Sequence, residues 1–121
     1  MKIYGLRPDL LAVTQVWADG VVAAKGAPEA IVGLCRLDSA ERRRVEEAAT
    51  AMAADGMRVL GVAEAAHDAA AFPATPRDFG FRFLGLVGLA DPVRQEVPTA
   101  VAECRRAGVR VIMITGDHPR T

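Results

Sequence analysis

Cysteine, histidine and lysine, two residues each, and long apolar runs are scarce in this sequence, and most of these shortages remove a class of function. The two cysteines, Cys35 and Cys104, lie far apart in apolar helical patterns. They read as buried thiols of a reduced, cytosolic protein rather than as a disulfide framework. The two histidines, His67 and His118, have no Cys or His partner at metal-ligand spacing, so no metal site is expected from this chain. The longest strictly apolar run near the middle, Leu84 to Ala90, is seven residues and holds two glycines. A membrane-spanning helix needs about 20 apolar residues. The opening Met1-Lys2-Ile3-Tyr4-Gly5 begins no long apolar region, so no signal peptide is expected. Basic and acidic residues balance at 15 each, which argues against a general nucleic-acid binder. The densest basic patch, Arg42-Arg43-Arg44, sits among glutamates and reads as the solvated face of a helix.

What is present is a core-forming chain of 121 residues, half of them hydrophobic, with room for one ordinary domain or pieces of two. Leu11 to Trp17 and Val21 to Ala24 are β-prone, and Asp19-Gly20 between them is a tight-hairpin signal. Lys25-Gly26-Ala27-Pro28-Glu29 follows. Pro28 suits the first position of a helix running to Cys35, and Glu29 places negative charge in its first turn. The clearest helix runs from Leu37 to Gly56. Asp38 and Glu41 can form a capping box, and Val45, Ala48, Ala49, Met52 and Ala53 make one buried face. Glu41, Arg42, Arg43, Glu46 and Glu47 lie mostly away from it.

Met57 to Glu64 returns as a strand, with Arg58 at its start on the face of Leu60 and Val62. Ala65 to Arg77 reads as a surface loop, with His67 solvated. Phe79, Phe81 and Phe83 alternate with Gly80, Arg82 and Leu84, and the run continues to Leu89 as a long strand whose glycines suggest bends or close backbone approach. Composition then shifts from antiparallel meander to an α/β unit, so a domain boundary is expected near residues 89–94. Val97, Ala100, Val101 and Cys104 give the next helix its apolar stripe, and Gly108 closes it. Val109 to Ile114 is apolar on nearly every position, the pattern of a strand covered on both faces in a parallel sheet. Thr115-Gly116-Asp117 then stands at the carboxyl end of that strand, where open α/β sheets place ligands. On its own the triplet is an ordinary β-to-α turn.

Taken together and in order, Lys25-Gly26-Ala27-Pro28-Glu29, Gly56-Met57-Arg58-Val59-Leu60-Gly61-Val62-Ala63, Gly85 to Arg94, and Met113-Ile114-Thr115-Gly116-Asp117 with Thr121 resemble the cytoplasmic ATP-handling region of P-type cation-transporting ATPases. The resemblance covers nearly the whole chain. It implies an α/β (α+β) fold. Residues 1–89 would be part of the nucleotide-binding (N) domain, an antiparallel sheet with packed helices. Residues 90–121 would hold the hinge and a helix–strand unit of the haloacid-dehalogenase-like phosphorylation (P) domain.

The resemblance further implies that Lys25, followed by Gly26, lines the adenine pocket and that Arg58 reaches the ATP phosphates, as a guanidinium's bidentate geometry allows. Asp91, Pro92 and Arg94 would lie at the hinge. Thr115 and Gly116 would contact the transferring phosphoryl group, with Asp117 close to nucleotide and hinge. ATP and Mg²⁺ are the implied cofactors, the Mg²⁺ ligands lying mostly outside this chain. The implied partners are the pump's actuator domain, the rest of its P domain and its transmembrane helices. The parent would sit in the cell membrane with this segment facing the cytoplasm. Lys-Gly-Ala-Pro-Glu fits the calcium-, sodium/potassium-, magnesium- or proton-type branches rather than the heavy-metal branch.

The family's nucleophile lies in Asp-Lys-Thr-Gly-Thr, and neither Lys2 nor Lys25 follows an aspartate. The Gly-Asp-Gly-x-Asn-Asp segment is missing as well. This chain is therefore expected to be a segment without turnover of its own. Two other readings stand beside it. One is a soluble haloacid-dehalogenase-like hydrolase, the other a non-catalytic domain that self-associates through exposed sheet edges.

Overall fold

The computed structural model describes residues 1–67, 72–90 and 92–114. Its centre is one five-stranded antiparallel sheet in sequence order: β1 (Lys2–Tyr4), β2 (Ala12–Val16), β3 (Val21–Gly26), β4 (Arg58–Ala66) and β5 (Arg82–Leu89). The β2–β3 hairpin closes where the sequence places it, with Gly20 at φ 84°, a left-handed conformation suited to glycine. Helices α1 (Pro28–Cys35) and α2 (Ser39–Ala54) fill the connection from β3 to β4.

Each helix has a local cause. Pro28 opens α1, and Arg36 ends it in left-handed geometry at φ 52°. The capping box before α2 is complete. Asp38 accepts from the Ala40 and Glu41 backbone N–H groups, and the Glu41 carboxylate accepts from the Asp38 N–H. Gly56 follows α2 at φ 78°.

The core lies between one sheet face and α1. Ala12, Thr14 and Val16 of β2, Val22 and Ala24 of β3 and Ala63 of β4 alternate inward and meet Ile31 and Leu34. A Cβ on Gly61 would lie 2.9 Å from the Ile31 Cβ, so a side chain there would push α1 off the sheet. The α2 stripe is shallower than expected. Val45, Ala49, Met52 and Ala53 are half-buried and Ala48 is exposed. Met52 and Met57 close over Gly88 of β5, the close approach expected of a strand glycine. The bend expected in this strand falls at a register shift: Val62 pairs with Gly85 but Ala63 with Phe83, and Gly85 takes φ 154°.

Three expectations are corrected. Phe79 and Phe81 precede β5 rather than lying in it, and both are buried against the core. His67 is half-buried, not solvated. Its ring stacks on Phe72 and meets Phe79 edge-on, and its backbone N–H donates to the Gly20 carbonyl at 2.8 Å. Val109–Ile114 forms no strand. The six residues are irregular, pair with none of the five strands, and leave Val109, Val111, Ile112, Met113 and Ile114 exposed. An apolar run becomes a strand only by hydrogen-bonding to a neighbour, and the described residues bring none to it. The helix before it, α3 (Val97–Arg106), does form and is closed by Gly108 at φ 75°. Among the described residues no helix is long and apolar enough to cross a membrane.

Candidate functional site

The sheet face turned away from the buried core carries the charge. Strand alternation that turns Val22, Ala24 and Gly26 inward turns Lys25 outward. Lys25 lies opposite Val62 in the β3–β4 register, so Arg58, Leu60 and Val62 share its face. Arg58 stands four residues back along β4, about 13 Å away at strand rise. Its Cα is paired with Leu89, the last residue of β5. Glu64, half-buried, and Arg82, exposed, pair on the same face, and such a solvent-accessible pair adds little stability.

Gly26 fixes the end of β3. A Cβ there would lie 2.2 Å from the Leu11 carbonyl oxygen and 2.6 Å from the Ala12 Cα, so only glycine lets β3 lie this close to β2. The next residue, Ala27, donates its N–H to Leu11 at 2.9 Å and starts α1. Lys25 is thereby held immediately before a closely packed strand end.

Lys25, Gly26 and Arg58 line one cavity of about 510 Å³. Leu6, Leu11, Val13, Val59 and Leu60 give it an apolar floor. Glu29 of α1 and Glu46, Ala49, Thr50 and Ala53 of α2 close the other side. A mostly apolar cleft of this size with a few convergent charges has the character of a small-molecule site. Two cations at separate points suit a ligand with extended anionic groups, and the apolar floor suits a flat ring.

The α2 wall went unread in the sequence, where Glu46 passed as a solvated helix position. Its signal was there: positions 46, 49, 50 and 53 form one stripe at helical spacing, which shares Ala49 and Ala53 with the stripe turned toward the sheet and adds Glu46 and Thr50 at its edge.

The remaining site residues fall elsewhere. Pro92 and Arg94 are exposed in irregular chain, with the Arg94 carbonyl accepting from the Val97 N–H at 3.0 Å. Asp91, Thr115, Gly116, Asp117 and Thr121 lie outside the described residues. Cys35 lines a separate cavity of about 520 Å³ beside Phe81 and Phe83. Burial pushes its thiol up to about 11, which makes it a poor nucleophile near neutral pH.

Residues 14–96 match the family described as P-type ATPase, cytoplasmic domain N. The chain is 41% identical to a sodium/potassium exporting P-type ATPase of Schizosaccharomyces pombe, over 83% of this chain and 11% of that protein. It is 39% identical to calcium-transporting ATPase 1 of Bacillus cereus, over 70% of this chain and 10% of that protein. It is 37% identical to the sodium/potassium-transporting ATPase subunit alpha-2 of Bos taurus, over 84% of this chain and 12% of that protein. The chain thus spans about a tenth of the length of the curated relatives it matches.

Proposed function

Because the chain belongs to the P-type ATPase family, as part of its cytoplasmic domain N, we propose that it is the ATP-holding segment of a pump that couples ATP hydrolysis to cation transport across a membrane. The observation that carries this reading is that Lys25 and Arg58, 33 residues apart in sequence, line one cavity with an apolar floor. In this reading the adenine ring rests on the floor beside Lys25, whose ammonium donates to a ring nitrogen. The phosphates run toward Arg58, whose planar fork pairs with their oxygens. Mg²⁺ arrives on the triphosphate.

Residues 1–89 then serve as the N-domain part and residues 90–121 as the hinge and the first part of a haloacid-dehalogenase-like P domain. Asp91, Pro92 and Arg94 form the hinge beside the phosphate end. Thr115, Gly116 and Asp117 are the P-domain contacts to the transferring phosphoryl group. Such transfer depends on positioning and charge stabilisation, and on a nucleophile. This sequence has no Asp-Lys-Thr-Gly-Thr stretch to supply one, so the segment alone binds without turnover.

Mixing the chain with radiolabelled ATP and Mg²⁺ tests this. The expected result is measurable binding, weakened in Lys25→Ala, with no acid-stable phosphoprotein and no sustained hydrolysis. Phosphorylation of the isolated chain would overturn the assignment of roles and favour a self-contained hydrolase.

A further inference from the structure

The cavity of about 520 Å³ beside Cys35 opens where α1 ends and where α2 and β5 begin. It shares no lining residue with the groove that holds Lys25 and Arg58. Its floor is apolar. Phe81 is buried, Leu37, Val45 and Phe83 are half-buried, and burial pushes the Cys35 thiol up, so that it stays neutral. Phe81 meets Phe79 edge-on, which makes the floor continuous with the core. Glu41, Arg44 and Arg82 stand exposed at the rim, and two of them are already engaged. Glu41 turns its carboxylate back to the Asp38 N–H at 3.2 Å, closing the capping box. Arg82 pairs with Glu64. Arg44 has no acidic partner among the described residues. Its Nε reaches only the Ala40 carbonyl oxygen, at a long 3.5 Å.

We propose that this cavity is a second binding site, for a small aromatic monocarboxylate whose ring rests on the Phe81–Phe83 floor and whose carboxylate pairs with Arg44. A cavity of this size is on the scale of small-molecule sites. The floor offers a ligand no strong hydrogen-bond partner, so the part that enters must be apolar. A flat ring suits it, because aromatic pairs add edge and offset contacts to the area they bury. At the rim, the planar Arg44 guanidinium can present two parallel N–H donors, which fit the two oxygens of one carboxylate. One unpaired cation matches one negative charge. A ligand with further charges, such as a triphosphate, would bring them against the Glu41 carboxylate, which the helix cap holds in place. A cationic ligand would face Arg44 and Arg82.

Amide NMR of the 121-residue chain titrated with 2-naphthoate and with 2-naphthamide tests this, because the two probes share the ring and differ in charge. The expected result is saturable naphthoate shifts at Cys35, Leu37, Val45 and Phe83, with naphthamide binding about fivefold more weakly at the same residues. In Arg44→Gln the naphthoate affinity falls about fivefold, to that of the amide, while the amide affinity holds. A loss of fold would lower both. Arg44 is exposed on α2, so the change does not disturb the core. Equal affinities for the two probes in the natural chain, or naphthoate binding that survives Arg44→Gln, would overturn the pairing with Arg44 and with it the proposal. Naphthoate shifts gathered at Lys25 and Arg58 instead, or no binding of either probe, would overturn the site itself. None of these outcomes touches the ATP reading, since the two cavities share no residue.

Discussion

Replacing Gly26 with alanine tests the strand packing that positions Lys25. The added Cβ would lie 2.2 Å from the Leu11 carbonyl oxygen, 2.6 Å from the Ala12 Cα and 2.8 Å from the Ala12 Cβ. Ordinary contacts between carbon atoms lie near 3.5–4.0 Å, so β3 must withdraw from β2 by roughly 1 Å. Two of the three obstacles are backbone atoms, which have no rotamer to change. Overpacking of this kind costs about 1–3 kcal/mol. The Ala27 N–H bond to Leu11, one residue on, stretches with it and adds about 1 kcal/mol. The sum is roughly 2–4 kcal/mol, a large share of the 5–15 kcal/mol typical of a domain. With a urea slope of about 1.5 kcal/mol per molar, a loss of about 3 kcal/mol lowers the unfolding midpoint by about 2 M. Gly33→Ala is the control. It lies inside α1 with no atom within 4 Å of the new Cβ, and should stabilise by about 0.5–1 kcal/mol. A Gly26→Ala midpoint equal to the natural chain's would refute the packing argument.

Other outcomes follow from the same geometry. Asp38→Ala removes the acceptor for two N–H groups at the start of α2 and should cost about 1 kcal/mol, read as a lower melting temperature; no change would mean that the box contributes nothing. The Cys35 thiol is raised by burial to about 11, so the folded state favours the neutral form. Its contribution to stability is fully present below the unfolded thiol's ordinary value and is lost as pH rises through about 11. Iodoacetamide should accordingly modify Cys35 slowly at pH 7.5 and faster as pH rises, as mass spectrometry of the modified peptides would record. Fast labelling at pH 7.5 would show that the thiol is not buried in solution.

The elements legible in the sequence were those specified by neighbours in the chain. Asp19-Gly20, the Asp38–Glu41 box and Gly56 each fix a local conformation by their own chemistry, and the hairpin and α2 appear where those residues place them. What was lost depends on distant partners. Val109–Ile114 has the composition of a buried strand, but composition supplies propensity and not a hydrogen-bonded neighbour. His67 looked solvated because its ring is covered by Phe72 and Phe79, aromatic side chains from later in the chain whose approach no local pattern announces. For the site, Lys25 and Arg58 came from the ordered motifs. Neither spacing nor periodicity could have put them in one cavity, since that requires the β3–β4 register. The α2 wall was overlooked because a helix has two edges beside its buried stripe, and only tertiary packing decides which of them faces a groove.

The central claim is that Lys25 and Arg58 close a nucleotide groove. Amide NMR of the 121-residue chain titrated with ATP and Mg²⁺ tests it most directly. The account predicts saturable shifts gathered at Lys25, Gly26, Arg58 and Leu60 and at Glu46 and Thr50 of α2. It also predicts a dissociation constant that rises about tenfold or more in Lys25→Ala, the loss expected for a charged hydrogen bond. Shifts that avoid these residues, or a Lys25→Ala chain that binds as tightly as the natural one, would contradict it.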